Sequence, residues 1–482
     1  MRGVVLSRAA IVVAAAALAA SGCSGGSETS GKSGKSGKAA AGSGKSFHQQ
    51  VAPGFTAAAQ WTVDMPWAAD GFGRQSENGR SVSDAAVASD QASYGVARVV
   101  GGTVVVPSFA PGGTEGPVWP TLQFLDAKTG KTIATKTLPV GSLLGLSSDT
   151  VAGKPVAVVR YVASQDYWTA NPATAVTDVY DASGTQVWSS KGQQVQNGTW
   201  SAGLALDNEK APHFVGGYVV KLNVGSDTIE HSDASYDVLD TTGKSVLHIP
   251  SQADHLDLNH VSLVEGYAVV THDDSLAQRD AYTSHEHFTV YDLANGAKKV
   301  ADVAEPDSGP VAAGAAVAAL NGKVLVAWYG QSGGGKPPTD VAVIDTATGT
   351  ASAPATLSDG PASGLGALVD PAKSDVVVYD DTAQPSRESV VVSLSQGTVL
   401  WRQQDHDGSL IPVSFHDGTL YGVEAASTGA PAKQLAVKEA DGFPAGSGYV
   451  LAPLAFTADG SPVFVEAPKG AAGITVGVGH TG

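Results

Sequence analysis

Cys23 carries the only thiol of this chain of 482 residues and is its strongest potential nucleophile. A single cysteine cannot form a disulfide within the chain, and an unpaired thiol in an exported protein calls for a specific role. The stability of the fold must then come from packing, which a chain of this length can supply. The residues around Cys23 decide which chemistry its thiol serves.

Histidines are the next group that could do chemistry, because six of the twelve lie within 40 residues. They are His248, His255, His260, His272, His285 and His287. On a strand, His285 and His287 would point to the same face, and two imidazoles so placed can hold zinc or copper. The spacing identifies no third ligand. We therefore expect these histidines to be structural and keep His285 and His287 as weak metal candidates.

Catalytic motifs are missing from the sequence. It contains no G-x-S-x-G elbow, no H-E-x-x-H pair, no Walker loop and no EF-hand loop. No residue is therefore assigned a catalytic role, and a binding protein is favoured over an enzyme.

Residues 1–22 have the parts of a signal peptide in the expected order. Arg2 and Arg8 form a positive start, and Ala9–Ala20 is an apolar stretch followed by the small residues Ser21 and Gly22. Twelve residues span about 18 Å as a helix. That length is short of the ~30 Å hydrocarbon core, so a permanent membrane-spanning helix is disfavoured.

The six residues that end at Cys23, LAASGC, resemble the lipobox of bacterial lipoproteins. The resemblance implies cleavage before Cys23, acylation of its thiol and attachment to the outer face of the cell membrane. Ala20 stands where that family usually has leucine. Two fatty acyl chains would suffice for stable anchoring. An ordinary cleaved signal peptide is the alternative.

Residues 23–46 are predicted to be a tether. After Cys23 the segment is rich in Gly and Ser, with regularly spaced lysines and nothing that could bury a face. Its root-mean-square reach is about 26 Å. The lysines suit either an anionic membrane surface or simple solubility.

The folded region, predicted over residues 47–482, is strongly acidic. The whole chain has net charge −17, and its first 46 residues carry +5, which leaves −22 for the rest. A body of this charge repels phosphate backbones, so nucleic acid is not expected as a partner. We expect a monomer.

From about residue 57 onward the pattern is that of an all-β chain, with short apolar runs separated by turn residues. One unit recurs, in which a strand ends in an Asp-to-Gly turn. The turn glycines are Gly130, Gly184, Gly243, Gly296, Gly349, Gly397 and, in a weaker copy, Gly442. They lie 45 to 59 residues apart, close to the ~50-residue period of a propeller blade.

The aspartates of these turns have a structural explanation. An Asp at the end of a strand can bond to backbone N–H groups just after it, and Gly takes a positive φ without a steric cost. The residues concerned are Asp126, Asp181, Asp240, Asp292 and Asp345, with Ser393 replacing Asp once. We do not expect them to bind metal.

Stretches such as LDAKTGK, GTQVW and GTVLW resemble the PQQ-like repeat of β-propellers over roughly residues 57–480. In that family a tryptophan four residues after the glycine packs between blades. Here only Trp188 and Trp401 fill this position, and smaller residues replace it elsewhere, namely Ala134, Leu247, Val300 and Ala353. The resemblance also implies PQQ, calcium, a catalytic Asp and an adjacent cysteine pair. A chain whose only cysteine is Cys23 cannot supply that pair.

Eight partner strands can be counted, at 100–108, 154–162, 215–223, 265–273, 322–330, 374–382, 417–425 and 459–467. We therefore predict an eight-bladed β-propeller of four-stranded antiparallel blades, with seven blades as the alternative. The last unit lacks its outermost strand, and residues 58–65, which include Trp61, have the pattern of the missing strand. The N-terminal strand is thus predicted to complete the last blade and to remove its free edge.

The connections that differ most in length between repeats lie on one side of the predicted propeller. We name it the long-loop side. Its loops include 109–120, 163–175, 274–286 and 330–339. Candidate contact residues on this side are Trp119, Tyr167, Trp168, Arg279, Tyr282 and Tyr329. Loops of this kind commonly carry binding, although exposed loops without a ligand would look the same.

Three functions remain open. The first is a non-enzymatic binding or scaffold propeller with an unknown protein or small-molecule ligand and no cofactor, held to membrane lipid through Cys23. The second, by family analogy alone, is a PQQ-dependent dehydrogenase, although fold analogy does not establish chemistry. The third is an accessory or sensor subunit of a membrane kinase or transporter.

Overall fold

The structure is a computed structural model of the whole chain. The residues described are 46–67, 95–110, 119–138, 141–163, 174–190, 193–194, 214–223, 235–250, 260–273, 286–305, 311–330, 339–357, 365–380, 389–403, 410–424, 433–446, 451–467 and 473–482. The chain divides into two compact units, Met1–Lys38 and Ala39–Gly482, and every described residue lies in the second.

Within these ranges all regular structure is β-strand, and the strands form eight antiparallel sheets. The chain begins with β1 (Phe55–Pro66). Blade one contains β2 (Arg98–Val100), β3 (Thr103–Ala110), β4 (Trp119–Asp126) and β5 (Thr132–Thr137). Blade two contains β6 (Gly141–Val151), β7 (Lys154–Ala163), β8 (Thr174–Asp181), β9 (Gln186–Ser189) and β10 (Gln193–Gln194). Blade three contains β11 (Phe214–Val215), β12 (Tyr218–Asn223), β13 (Ser235–Asp240) and β14 (Ser245–Ile249).

The middle blades repeat this order. Blade four contains β15 (His260–Val264), β16 (Tyr267–Asp273), β17 (Glu286–Asp292) and β18 (Lys298–Ala304). Blade five contains β19 (Val311–Leu320), β20 (Lys323–Gly330), β21 (Thr339–Asp345), β22 (Thr350–Ala351) and β23 (Ala355–Leu357). Blade six contains β24 (Leu365–Asp370), β25 (Asp375–Asp380), β26 (Val390–Ser393) and β27 (Thr398–Arg402).

The last two blades follow. Blade seven contains β28 (Leu410–His416), β29 (Thr419–Glu424), β30 (Lys433–Lys438) and β31 (Pro444–Gly446). Blade eight contains β32 (Ala455–Phe456), β33 (Pro462–Glu466) and β34 (Gly473–Thr481), followed by β1. In blades two and five the outermost strand is broken into two pieces that pair with the same neighbour.

The predicted eight-bladed propeller and its closure by the N-terminal strand are therefore confirmed. β1 pairs antiparallel with β34, with Trp61 opposite Val478 and Met65 opposite Ile474. The largest apolar cluster runs without interruption across this closure, since it joins Val63 of β1 to Val104 of blade one and Val476 of blade eight. The two ends of the folded region are thus held together by both hydrogen bonds and apolar packing.

The Asp-to-Gly turns form as their sequence predicts. In blade one the Gly130 N–H donates to the Asp126 carbonyl at 2.8 Å, and the Asp126 carboxylate accepts from the Thr129 N–H at 2.8 Å. The Thr129 hydroxyl also bonds this carboxylate and lowers the pKa of Asp126. The turn glycines have positive φ, from 66° at Gly130 to 83° at Gly243. These carboxylates are occupied in holding their own turns, which supports their structural assignment.

Five of the seven turn glycines also pack against the preceding blade: Gly130, Gly184, Gly349, Gly397 and Gly442. The ring of Trp61 lies so close to Gly130 that a Cβ there would approach it to 2.5 Å. Trp401 of blade six lies in the same way against Gly442 of blade seven. Ala134 contacts Gly184, so a methyl group takes the place of an indole in this blade.

Several positions differ from the sequence prediction of the docking residues: no atom lies within 4 Å of a Cβ position at Gly296, and the nearest atom at Gly349 is the backbone carbonyl oxygen of Val300. In blade five Ser352, and not Ala353, contacts Gly397, because the outermost strand is interrupted between β22 and β23 and the register moves by one residue. In blade two Trp188 packs against Phe214 at a ring distance of 5.1 Å, while no atom lies within 4 Å of a Cβ position at Gly243. The docking role therefore depends on local strand geometry as well as on residue type.

Candidate functional site

The two sides of the propeller differ in the length of their connections. On one side, which we name the short-turn side, first and second strands, and third and fourth strands, are joined by 2 to 5 residues. On the long-loop side, second and third strands are joined by 6 to 12 residues. The long-loop connections are 111–118, 164–173, 224–234, 274–285, 331–338, 381–389, 425–432 and 467–472.

The predicted contact residues of the long-loop side are only partly within the described residues. Trp119 is the first residue of β4, at the long-loop end of that strand. Tyr329 lies near the end of β20 and is only 5% exposed, because it packs in the apolar cluster between blades five and six. Tyr167, Trp168, Arg279 and Tyr282 lie outside the described residues. A contact surface formed by this set therefore stays a prediction.

Among the described residues, His287 is stacked on His272. His287 lies opposite His272 across β16 and β17, and the two rings stack at 4.5 Å with an interplanar angle of 18°. His287 Nε2 lies 3.7 Å from an Asp302 carboxylate oxygen. His285 lies outside the described residues. Among the residues that the structure describes, no three His, Cys, Asp or Glu side chains are grouped to hold a metal ion.

The predicted lipid attachment site, Cys23, also lies outside the described residues. In the described part of the chain, no helix has the length and apolar character that crossing a bilayer would require.

A site that the sequence analysis did not single out lies in the central channel. Arg98 is the first residue of β2, the innermost strand of blade one, and is half-buried. Its guanidinium acts electrostatically on the phenol of Tyr379, which belongs to blade six. Blades seven and eight lie between these two blades around the ring.

Two glycines make room for this pair. Gly95, with a φ of 77°, precedes β2, and a Cβ there would lie 3.0 Å from an Arg98 guanidinium nitrogen. Gly366 of β24 lies under the ring of Tyr379, where a Cβ would approach the phenol oxygen to 2.8 Å. Without side chains at these positions, the guanidinium folds back beside the backbone, and the phenol crosses the innermost strand of its own blade.

The charge of Arg98 is retained despite its surroundings. Burial lowers the pKa of Arg98 to about 10, and the ionisable phenol of Tyr379 opposes that shift. A pKa near 10 leaves the guanidinium protonated at neutral pH.

Three carboxylates lie near the short turns of the innermost strands. Asp149, Glu265 and Asp370 all lie where innermost strands meet their short turns. The Asp149 carboxylate accepts from the Gly216 N–H of the next blade at 2.7 Å, and burial raises its pKa. Burial also raises the pKa of Glu265, and the charge of Asp149 adds to this rise.

A second buried acidic group, Asp178 of β8, is explained by its partners. It accepts hydrogen bonds from Tyr161 Oη at 2.9 Å, from Tyr180 Oη at 3.2 Å and from Gln186 Nε2 at 2.8 Å. Burial raises the pKa of both tyrosines, and the charge of Asp178 raises it further. This network is satisfied within blade two and offers no open position to a ligand.

The described residues do not fit the cofactor set that the repeat resemblance implies. PQQ is a tricarboxylate, whereas the innermost strands offer one cation, Arg98. No calcium-binding group of carboxylates is found among the described residues. The adjacent cysteine pair is ruled out because the sequence has one cysteine, Cys23.

Comparison with known proteins gives similarity in shape alone. No protein-family profile matches the chain, and no curated protein is similar to it in sequence. Among solved structures it is similar to the computationally designed Ika8 protein, with 15% identity over 79% of this chain and 95% of the other and a TM-score of 0.42. It is also similar to a europium-containing methanol dehydrogenase, with 13% identity over 77% and 82% of the two chains and a TM-score of 0.36. A quinohemoprotein alcohol dehydrogenase from Comamonas testosteroni has 12% identity over 80% and 73% of the chains and a TM-score of 0.37. Similarities at this level concern the fold and carry nothing about chemistry.

Proposed function

We propose that this protein is a lipid-anchored, extracytoplasmic binding propeller that takes its ligand on the long-loop side. The observation that carries the proposal is the unequal length of the connections, 6 to 12 residues on one side against 2 to 5 on the other. Connections that hold only the fold together need not be long, whereas binding surfaces are built from variable loops on a rigid scaffold. The proposed ligand is a small molecule or a protein.

The anchoring part of the proposal rests on the sequence around Cys23. An apolar stretch of twelve residues and small residues before the only cysteine support acylation there. The tether of residues 23–46 would then let the propeller move about 26 Å from the membrane surface.

Alanine at position 23 is expected to abolish incorporation of a labelled fatty acid and to release the protein from the membrane fraction. The measurement is fatty-acid labelling and fractionation of cells that produce either the natural chain or Cys23→Ala. Ser24→Ala, one residue away, serves as the matched control and should keep both label and membrane association. Labelled Cys23→Ala protein would disprove the assignment.

A dehydrogenase function is the second candidate, favoured only by the resemblance of the repeats. We expect the purified full-length chain, supplied with PQQ and Ca²⁺, to reduce no redox dye in the presence of alcohols or sugars. Dye reduction that depends on added PQQ would replace the binding function with an enzymatic one. A role as an accessory or sensor subunit would be recognised by a kinase or transporter recovered with the protein from intact membranes.

A further inference from the structure

Residues 46–54, which precede β1, form a strap between blades seven and eight. The Phe47 N–H donates to the Ala57 carbonyl at 2.9 Å, and the Ala52 N–H donates to the Leu451 carbonyl at 3.0 Å. Leu451 lies in the crossing that leads from blade seven to blade eight. The strap is therefore bonded both to the strand that closes the ring and to the connection between the last two blades.

The strap takes the place of a turn at this joint. The third and outermost strands of blade eight are β34 and β1, which come from opposite ends of the chain, so no turn joins them. Elsewhere a residue four positions after the turn glycine can reach the turn of the next blade, as Trp401 reaches Gly442. In blade seven that position is Gly446, and a Cβ there would lie 2.3 Å from Pro53 Cγ of the strap. Blade seven thus supplies the glycine, and the strap supplies the side chain.

Three buried apolar side chains anchor the strap, namely Phe47, Val51 and Ala52. Phe47 packs edge-on against Phe464 of blade eight, with ring centres 5.0 Å apart, and Ala52 packs with Tyr421 of blade seven. These contacts belong to two small clusters, separate from the large cluster that spans the closure between blades eight and one. Separate groups of buried contacts can open independently of one another.

One polar contact also fixes the strap. The Glu466 carboxylate, buried at the end of β33, accepts from the Gln49 N–H at 2.8 Å, and His48 Nδ1 lies 3.1 Å from its other oxygen. Hydrogen bonds to a charged acceptor are stronger than those between neutral groups. The strap is therefore held in one position on blade eight.

The junction between the strap and β1 has the features of a hinge. Gly54, the last residue of the strap, has a φ of 87°, a conformation that glycine adopts without a steric cost. The first residues of β1 then pair with β34 through two register shifts, and the pairing becomes regular only from Trp61 to Pro66. The strap therefore meets the regular part of the closing strand across an irregular segment.

We propose that the strap is a latch that detaches as a unit by pivoting at Gly54, while β1 stays paired with β34 and the ring stays closed. Detachment uncovers Leu451 and Phe464 at the joint between blades seven and eight. Because the predicted tether joins the fold at Ser46, a force or a binding event at the tether acts on the latch before it acts on the closing strand. The latch goes beyond the proposed binding function and depends neither on a ligand nor on acylation.

The test is hydrogen–deuterium exchange of the full-length chain in an uncharged detergent, read by mass spectrometry at single-residue resolution. The amides of Ala52 and Leu451 are expected to exchange at similar rates, because detachment of the strap breaks the hydrogen bonds of both. Both should exchange at least about tenfold faster than the slowest amides of residues 61–66, which open only when the ring opens.

Gly446→Ala is expected to detach the strap. Gly446 lies on β31, where the backbone accepts alanine, but the added Cβ meets the rigid ring of Pro53, so the strap must move. Exchange at Ala52 and Leu451 should become at least about tenfold faster, the effect of overpacking a site by one methyl group, while exchange over residues 61–66 should change by less than about twofold.

A second substitution and a matched control identify the contact responsible. Pro53→Ala removes the Cγ atom that the new methyl group meets, so the double variant with Gly446→Ala should return towards the exchange rates of the natural chain. Gly102→Ala is the matched control, because no atom lies within 4 Å of a Cβ position there, and it should leave the strap unchanged.

Phe47→Ala keeps the test informative if Gly446→Ala does not fold, because it removes an anchor of the strap without changing blade seven. It should speed exchange at the same amides of Ala52 and Leu451. The latch is overturned if residues 61–66 speed up as much as the strap in either variant, since the strap and the closing strand would then open together. It is also overturned if the strap exchanges as slowly as residues 61–66 in the natural chain, or if Pro53→Ala does not reverse the effect of Gly446→Ala.

Discussion

Replacing Trp61 by alanine is expected to lower the free energy of unfolding by about 4 kcal/mol. Trp61 is 2% exposed, and its ring fills the space above Gly130 of blade one. Its indole N–H donates to the Ala127 carbonyl at 2.8 Å, and this buried acceptor would lose its partner in the variant. The change therefore combines a cavity the size of an indole with an unsatisfied carbonyl. The midpoint of guanidinium unfolding, followed by circular dichroism, measures the loss.

Trp401 provides the matched control for this experiment. It lies against Gly442 as Trp61 lies against Gly130, and its indole N–H bonds the Glu439 carbonyl at 2.6 Å. It differs in being half-buried and in joining two blades that are consecutive along the chain. Trp401→Ala should therefore cost about half as much as Trp61→Ala.

The difference between the two variants combines the deeper burial of Trp61 with the contribution of ring closure. Blades eight and one are joined by β1, which brings together residues more than 400 positions apart, such as Trp61 and Val478. Loss of this joint frees the edge of β34 and opens the ring. Equal losses in the two variants would mean that closure adds nothing beyond an ordinary contact between blades.

The number of blades and the position of the closing strand could be predicted from the sequence because their signals are local. An Asp-to-Gly turn is held by hydrogen bonds among its own few residues, as between Asp126 and Gly130. The same spacing of Asp and Gly therefore predicts the same turn in every repeat. Once seven such turns and eight partner strands were counted, one strand with an apolar pattern and Trp61 remained for the last edge. Strand ends were less well predicted: the proposed strand 100–108 includes the turn before β3, which spans Thr103–Ala110.

The channel site could not be predicted because it depends on residues far apart in the chain. Arg98 of blade one and Tyr379 of blade six are 281 positions apart in the chain, so no local pattern relates them. A local signal did exist, since Arg98 interrupts an apolar run, VARVV, that forms an innermost strand. The sequence alone does not show that this strand is one of those that surround the channel. Tyr329, by contrast, looked like a loop residue until β20 proved long enough to bury it.

Glu439 is another residue whose environment the sequence does not reveal. It lies in the turn that ends at Gly442, and its side chain is fully buried between blades six and seven. Lys373 Nζ lies 2.8 Å from one of its carboxylate oxygens, as an ion pair at an angle outside hydrogen-bond geometry. Burial raises the pKa of Glu439 to about 7, although the Lys373 ammonium lowers it and the charge of Asp370 adds to the rise. The folded protein thus favours the protonated form of this carboxyl.

Glu439→Gln is expected to stabilise the protein above pH 7 by up to about 3 kcal/mol, the free energy that separates a pKa of about 7 from the ordinary 4.5. Below pH 4.5 the carboxyl is protonated in both folded and unfolded chains, so the variant and the natural chain should be equally stable. Between pH 4.5 and 7 only the unfolded chain releases the proton, and the natural chain loses stability as the pH rises. Glutamine mimics the protonated form and removes this dependence.

The decisive quantity is the difference in unfolding free energy between variant and natural chain, measured by urea titration at several values from pH 4 to pH 8. Asp149 and Glu265, whose pKa values burial also raises, belong to other blades, so they contribute equally to both proteins and cancel in this difference. Glu466→Gln is the control, because Glu466 is equally buried but accepts hydrogen bonds from the His48 ring and from the Gln49 N–H at 2.8 Å. An amide cannot accept both, so this variant should be destabilised. If Glu439→Gln were destabilised in the same way at pH 8, then the Lys373 ion pair would outweigh the burial of the Glu439 charge.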